Sequence, residues 1–396
     1  MMPAPRSMGE RGLELLNSIR DRHRVAIALN RVFSVMVVLG LSGSLISGCS
    51  PLYVIRAAYE EGKILWRREP IDDYLAKPDL GADTQAKLKL VLAVREYARD
   101  VLKLNVGGSY SSYSYVDRPD LTYLLTAAPR TELSPYTWWF LIVGRVPYKG
   151  YFSREEAQAA ADGLQREGYD TNIRTSAAFS TLGWFNDPLL AHLLKYDTVT
   201  LADVVLHELF HNTLYVKGAG AFNESMANFV GARGAIQFFS EKYGSASPEY
   251  RRAVRDWEEE LEFSAFIQDL AASLIDLYAK NIPDEDKLRL REEVFERGKK
   301  SWEERIADRP SHRFRRFSKQ PLNNAVLIHY LLYLKNLQMF EALYQQNGHS
   351  LVELIDSVRL AVEKGGEPFE RLAALLNQQG PGSKVNVQSS TYSNPS

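Results

Sequence analysis

The stretch TLADVVLHELFHNTLYVKGAGAFNESMANFVGARGA, residues 200–235, decides how this chain is read. Within it His207, Glu208 and His211 form an HExxH pattern. On a helix, residues i and i+4 share one face, so both imidazoles can reach one ion while Glu208 stands beside it. The setting reads as helical. The window is strongly apolar, Thr200-x-x-Asp203 has the form of a capping box, and Gly218 stands where a helix stops. A catalytic zinc needs a third protein ligand and an open fourth position. Thirteen residues after His211 comes Glu224, which opens a second helical stretch just past the turn at 218–220. A helix–turn–helix hairpin brings Glu224 back opposite the two histidines.

Two histidines and a glutamate from the next helix, around one Zn²⁺, are the ligand arrangement of gluzincins. Asn228, at i+4 from Glu224, shares its face and can accept a hydrogen bond from the free nitrogen of a ligand histidine. The chemistry such a set serves is amide hydrolysis, with Glu208 as general base. A donor must also stabilise the oxyanion. Tyr215, Tyr148, Tyr151 and Tyr330 all qualify, and nothing in the sequence chooses among them. His312 and His329 read as structural or surface residues. Zincins commonly hold the substrate backbone on an edge strand above the metal; residues 176–188 are either that strand or an ordinary one with a glycine-containing turn.

The 396 residues include one cysteine, which excludes an intrachain disulfide and any multi-cysteine metal site. Cys49 follows a segment carrying Arg6, Arg11, Arg20, Arg22, Arg24 and Arg31, then the apolar run VFSVMVVLGLSGSLI at 32–46. That run is shorter than the ~20 residues a spanning helix needs. A basic segment, a short apolar segment and small residues form a secretory signal. Ile46-Ser47-Gly48-Cys49 resembles a bacterial lipobox, whose cysteine is lipidated and becomes the new N-terminus. The competing readings are a signal anchor, or an apolar helix ending in a buried cysteine. Ser50, standing where inner-membrane lipoproteins carry Asp, favours the outer membrane facing the periplasm. The expected division is a lipoprotein signal peptide over 1–48, a metallopeptidase domain over 49–377, and a disordered tail over 378–396 with little to bury. A formal charge of −1 leaves no footprint for nucleic acid.

Elsewhere, periodicity predicts helices over 52–67 and 84–104. Strands follow as LTYLLTAA at 121–128 and WWFLIVGRV at 138–146. Ser153-x-x-Glu156 opens a helix that Gly168 closes, and TNIRTSAAFS at 171–180 is another strand, making a βαβ-like unit. After Gly107-Gly108-Ser109, Tyr110, Tyr113 and Tyr115 alternate with serines in a loop or an exposed strand. Beyond 200 the pattern is helical over 200–216, 222–242, 248–281, 284–307, 322–346, 349–364 and 367–377, with Asn323-Asn324 capping one helix. The fold class is α+β: zincin-like, helix-rich, with a small mixed sheet and an HExxH active-site helix.

The blocks AFSTLGWFNDPLL, HELFHNTLYV and AFNESMANFVG, with VGRVPYKGYFS and PLNNAVLIHYLLY, resemble the bacterial putative aminopeptidase family, lipobox-bearing zincin-like HExxH metallopeptidases. The resemblance runs from about Tyr53 to about Ala373. It implies a periplasm-facing zinc peptidase acting on peptides and anchored through a lipid on Cys49. His207 and His211 would be ligands, Glu208 the base and Glu224 the third ligand. Where the family pattern carries cysteines and a proline before the GYF block, this chain has Trp139, Phe140, Leu141 and Arg145, so no disulfide role carries over. Exo- and endo-cleavage stay open, since the family name rests on motif. An endopeptidase of envelope proteins is one further reading. The other is an inactive zincin-fold lipoprotein serving as a binding or structural module, although HExxH and Asn223-Glu224 are both intact.

Overall fold

The computed structural model describes residues 59, 62–116, 121–140, 144–176 and 186–378. The chain divides into two units between Gly62 and Lys63, and all described residues except Tyr59 and Gly62 belong to the second. The signal segment, Cys49, most of the helix expected over 52–67, the middle of 176–188 and the tail beyond 378 lie outside the described residues. No helix among those described is long and apolar enough to cross a membrane.

The described part is helix-rich with small sheets, the α+β class expected. Strand β1 (Glu69–Pro70) and helices α1 (Ile71–Leu75) and α2 (Ala82–Asp100) come first. Strand β2 (Ser112–Ser114) pairs antiparallel with β1 and parallel with β8 (Leu189–Leu190). Tyr110 and Tyr113 are buried there, which corrects the loop or exposed strand expected; only Tyr115 is exposed. The run at 138–146 is not one strand. It forms a hairpin of β4 (Trp138–Phe140) and β5 (Gly144–Val146), with Gly144 at φ +78° opening the return strand. One mixed sheet was expected, yet the described strands form two three-stranded sheets and this hairpin.

The second sheet positions the site. Its order is β6 (Lys149–Tyr151), β3 (Thr122–Pro129), β7 (Tyr169–Ser176), and both pairings are antiparallel. The outer strands therefore run parallel to each other, joined by α3 (Arg154–Arg166). This is the βαβ-like unit with an earlier strand between its two arms. Ser153 caps α3 by accepting from the Glu156 amide, as its pattern predicts. Side chains alternate across the sheet. Leu125, Ala127 and Ile173 pack under α3 with Ala161 and Leu164. The other face meets the helical layer: the Thr126 hydroxyl donates to Ala325 O, and Asp170 pairs with Arg291 at 2.8 Å.

That layer contains α4 (Thr198–His211), α5 (Gly220–Tyr243), α6 (Pro248–Tyr278) and α7 (Asp284–Arg305). It continues with α8 (Asn324–Leu334), α9 (Leu337–Gln346), α10 (Leu351–Val362) and α11 (Pro368–Gln378). Helix α5 is buried on nearly every side, from Phe222 and Met226 to Phe238 and Phe239, and α4, α6, α8 and α9 pack on it. The helix expected over 322–346 breaks at Lys335–Asn336, where Asn336 takes φ +56°. The freed amides are satisfied by neighbours: Lys335 N donates to Ser225 Oγ and Asn336 N to Gln268 Oε1. Asn323 does cap α8, accepting from the Val326 amide.

Helices α4 and α5 approach closely because glycines stand at their contact. A Cβ at Gly231 would collide with Asp203 Oδ1 and would lie 2.8 Å from Asp203 O and 3.3 Å from His207 Cβ. Gly231→Ala should therefore push the two helices apart and destabilise the protein by about 1–3 kcal/mol in urea titration. Gly163→Ala, in helix α3 with only the end of Arg166 nearby, should instead stabilise by about 0.5–1 kcal/mol.

Candidate metal centre

Helix α4 begins at Asp197, whose Oδ1 accepts from the amides of Val199 and Thr200. The cap thus sits three residues before the Thr200 box, whose hydroxyl merely bonds to Asp197 Oδ2. The helix ends at His211 instead of 216, so the histidines occupy its last turn. The loop that follows is clamped by Asn223, which accepts from Val216 N and donates to Val216 O, both at 2.8 Å. This two-point bond fixes where α5 starts and therefore where its next residue, Glu224, points.

Three ligand atoms converge as a result. His207 Nε2 lies 3.3 Å from both Glu224 Oε2 and His211 Nε2, and His211 Nε2 is 3.7 Å from the same carboxylate oxygen. Tetrahedral ligands about ~2.0–2.1 Å from a zinc ion stand ~3.3–3.4 Å apart, close to this triangle. The donor set, two imidazoles and one carboxylate, is one zinc accepts, and His207, His211 and Glu224 can hold a metal ion. The electrostatics fit a cation as well. Burial works against a charged His207, yet the hydrogen bond to Glu224 and the charges of Glu208, Glu224 and Asp203 lift it to about 9. Burial likewise opposes the Glu224 carboxylate, but both histidines hold it well below the usual carboxylate range. The cluster retains a proton that a metal would displace.

Glu208 sits beside the triangle. Burial raises its carboxyl above the ordinary value, helped by Glu224 and Asp187 and opposed by His207 and His211. Three tyrosines stand within reach of the Glu224 charge. Tyr148 has its hydroxyl pushed well up by burial and then by the charges of Glu224 and Glu208. Tyr215 lies in the loop after α4, not on the metal helix as expected, and also feels Glu224. Tyr333 was not singled out from the sequence. Its ring is 6.3 Å from that of His207, and burial, then Glu224, raises its hydroxyl. The signal available was the HYLLY spacing, which sets Tyr333 on the face of His329. That histidine is half-buried against Tyr333 within reach of the Glu224 charge, and it is not among the three converging side chains.

Other candidates stand elsewhere. Tyr151 packs with Ile173 in the small core under α3. Tyr330 meets Phe263 and Phe317 edge to face, its hydroxyl accepting from Gln320. His312 packs on Trp302 and accepts from the Phe314 amide. Of residues 176–188, 177–185 lie outside the described residues. Asn228 donates through Nδ2 to Glu260 Oε1 at 2.7 Å, and the buried Nδ1 of His211 has no hydrogen-bond partner. Spacing put Asn228 on the face of Glu224, but α6 brings an acceptor that the spacing could not reveal.

One turn before His207, Asp203 faces Glu260, which pairs with Arg313 at 2.8 Å, together with Asp256 and His207. Burial, then Glu260, raises Asp203 to about 7, against the pull of Arg313 and His207. An unfolded Asp titrates at about 4, so between about pH 4 and 7 the folded state binds the extra proton and stability falls as pH rises. In metal-free protein, Asp203→Asn should flatten this part of the pH–stability profile and raise the melting temperature above pH 7. An unchanged profile would show that Asp203 does not hold the proton.

Comparison with curated proteins finds no match, and comparison with solved structures finds none. A family model described as "Putative aminopeptidase" matches residues 52–373, which include the whole candidate centre and the sheet and helices that build it. The chain therefore belongs to the putative aminopeptidase family, whose name points to a peptidase acting on peptide substrates.

Proposed function

We propose that this protein is a zinc-dependent peptidase of gluzincin type, built on a zincin-like domain over 49–377. The observation that carries the reading is the His207–His211–Glu224 triangle with Glu208 beside it. A zinc ion held there would supply Lewis acidity toward water and a carbonyl oxygen. The rest is work for the chain's own side chains. Glu208, raised by burial, takes a proton from the attacking water and delivers it to the leaving nitrogen. Tyr148 and Tyr333 are kept protonated by burial and nearby carboxylates, so each can donate to a developing oxyanion. Asn223 fixes the loop that orients Glu224.

The envelope location rests on the lipobox-like sequence ahead of Cys49. On this reading the lipidated cysteine anchors the enzyme to the outer membrane, facing the periplasm. Cys49→Ser should release the protein from the membrane pellet into the soluble fraction; continued sedimentation would favour a signal anchor.

The catalytic claim is tested with detergent-solubilised protein and amino-acyl fluorogenic substrates beside an internally quenched peptide set. Chelation should abolish cleavage and zinc should restore it. Glu208→Gln should lower kcat/KM by about 10²–10⁴-fold, and Tyr148→Phe should lower kcat by about 10²-fold. Wild-type rates in Glu208→Gln, or cleavage indifferent to chelation, would contradict the proposal. Cleavage confined to internal bonds would make the enzyme an endopeptidase.

A further inference from the structure

Strand β7 turns alternate residues, Asp170, Asn172 and Arg174, toward the helical layer, since Leu125 and Ile173 point the other way into the core under α3. Two of these are ionic, and they are treated differently. Asp170 is fully engaged: Arg291 donates to it at 2.8 and 3.2 Å, and the Asn324 amide bonds to it at 3.0 Å. Among the described residues Arg174 has no carboxylate partner, and its Nε is buried without a hydrogen-bond acceptor. The guanidinium lies 5.1 Å over the Tyr333 ring and hydrogen-bonds the Tyr333 hydroxyl oxygen, and the other groups that feel its charge are Tyr196, His329 and Tyr330. His329 is kept neutral by burial and by Arg174 itself. A half-buried cation among neutral rings is costly unless something completes it.

Its position says what that could be. The Tyr333 ring lies 5.1 Å from the guanidinium and 6.3 Å from the His207 ring, so Arg174 lies no more than about 11 Å from that imidazole. An extended peptide covers that distance in about three residues. A guanidinium presents several N–H donors in a rigid plane matched to a carboxylate. We propose that Arg174 binds a carboxylate of the peptide substrate, either the C-terminus of a short peptide or an acidic side chain near the cleaved bond. The assignment rests on the peptidase reading above and narrows its substrate class to peptides bearing an anion within about three residues of the scissile bond. The aromatic contact with Tyr333 holds the guanidinium in place before substrate arrives, so little ordering remains on binding.

The test measures binding, not turnover. Calorimetry on detergent-solubilised Glu208→Gln protein, zinc-loaded and chelated, would use Ala-Ala-Ala, Ala-Ala-Ala amide and Ala-Glu-Ala amide. At least one carboxylate-bearing peptide should bind about tenfold tighter than Ala-Ala-Ala amide. The free acid alone doing so identifies a C-terminal carboxylate, and the glutamate amide alone a side chain. Arg174→Ala should remove the preference while the melting temperature shows a folded protein, and Arg174→Lys should restore part of it. Equal affinity for all three peptides, no binding of any, or a preference that survives Arg174→Ala would overturn the proposal. Failure of the peptidase reading is seen separately, as absent cleavage by the wild type.

Discussion

The arrangement depends on how closely two helices can approach. His207 and His211 belong to α4 and Glu224 to α5, so the ligand triangle exists only if these helices nearly touch backbone to backbone. Gly231 permits that contact at Asp203 and His207, and Gly234 permits it at Leu206 and Leu102. A side chain at either position would widen the gap along the whole pair, because close-packed interiors transmit strain instead of absorbing it. Asn223 adds the complementary constraint by pinning the connecting loop, so that α5 starts in one register and Glu224 faces the histidines.

Electrostatics follow from that geometry. Glu208, Glu224 and Asp203 surround His207, and their joint charge keeps a proton on an imidazole that burial alone would strip. Farther back, Glu260 is balanced by Arg313 and tied to α5 through Asn228, so the negative charge that faces the ligands is built into packed helices. The sheet contributes Arg174, against Tyr333, and the loop before β6 contributes Tyr148, which feels the charges of Glu224 and Glu208.

Much of the centre was legible in the sequence because helical spacing is a local rule. His207 and His211 at i and i+4, and a glutamate just past a short turn, needed no tertiary knowledge. Ser153 and Asn323 announced their helix starts for the same reason. What could not be read depended on partners distant in sequence. Asn228 was assigned to a histidine because nothing local reveals that α6 carries Glu260 to it. The break at Lys335–Asn336 has no glycine or proline, and its exposed amides are satisfied by Ser225 and Gln268 from other helices. Arg174 went unnoticed because alternation gives two faces of a strand without saying which one meets the centre, and Tyr333 because nothing local shows that α8 brings it to His207.

The central claim is that His207, His211 and Glu224 together hold zinc. X-ray absorption at the zinc edge, on detergent-solubilised protein purified without added metal, tests it most directly. The account expects one zinc per chain with only nitrogen and oxygen neighbours at ~2.0–2.1 Å, two of them imidazoles, and loss of that signal in Glu224→Ala. No bound zinc, a shell without imidazole, or an unchanged spectrum in Glu224→Ala would contradict it.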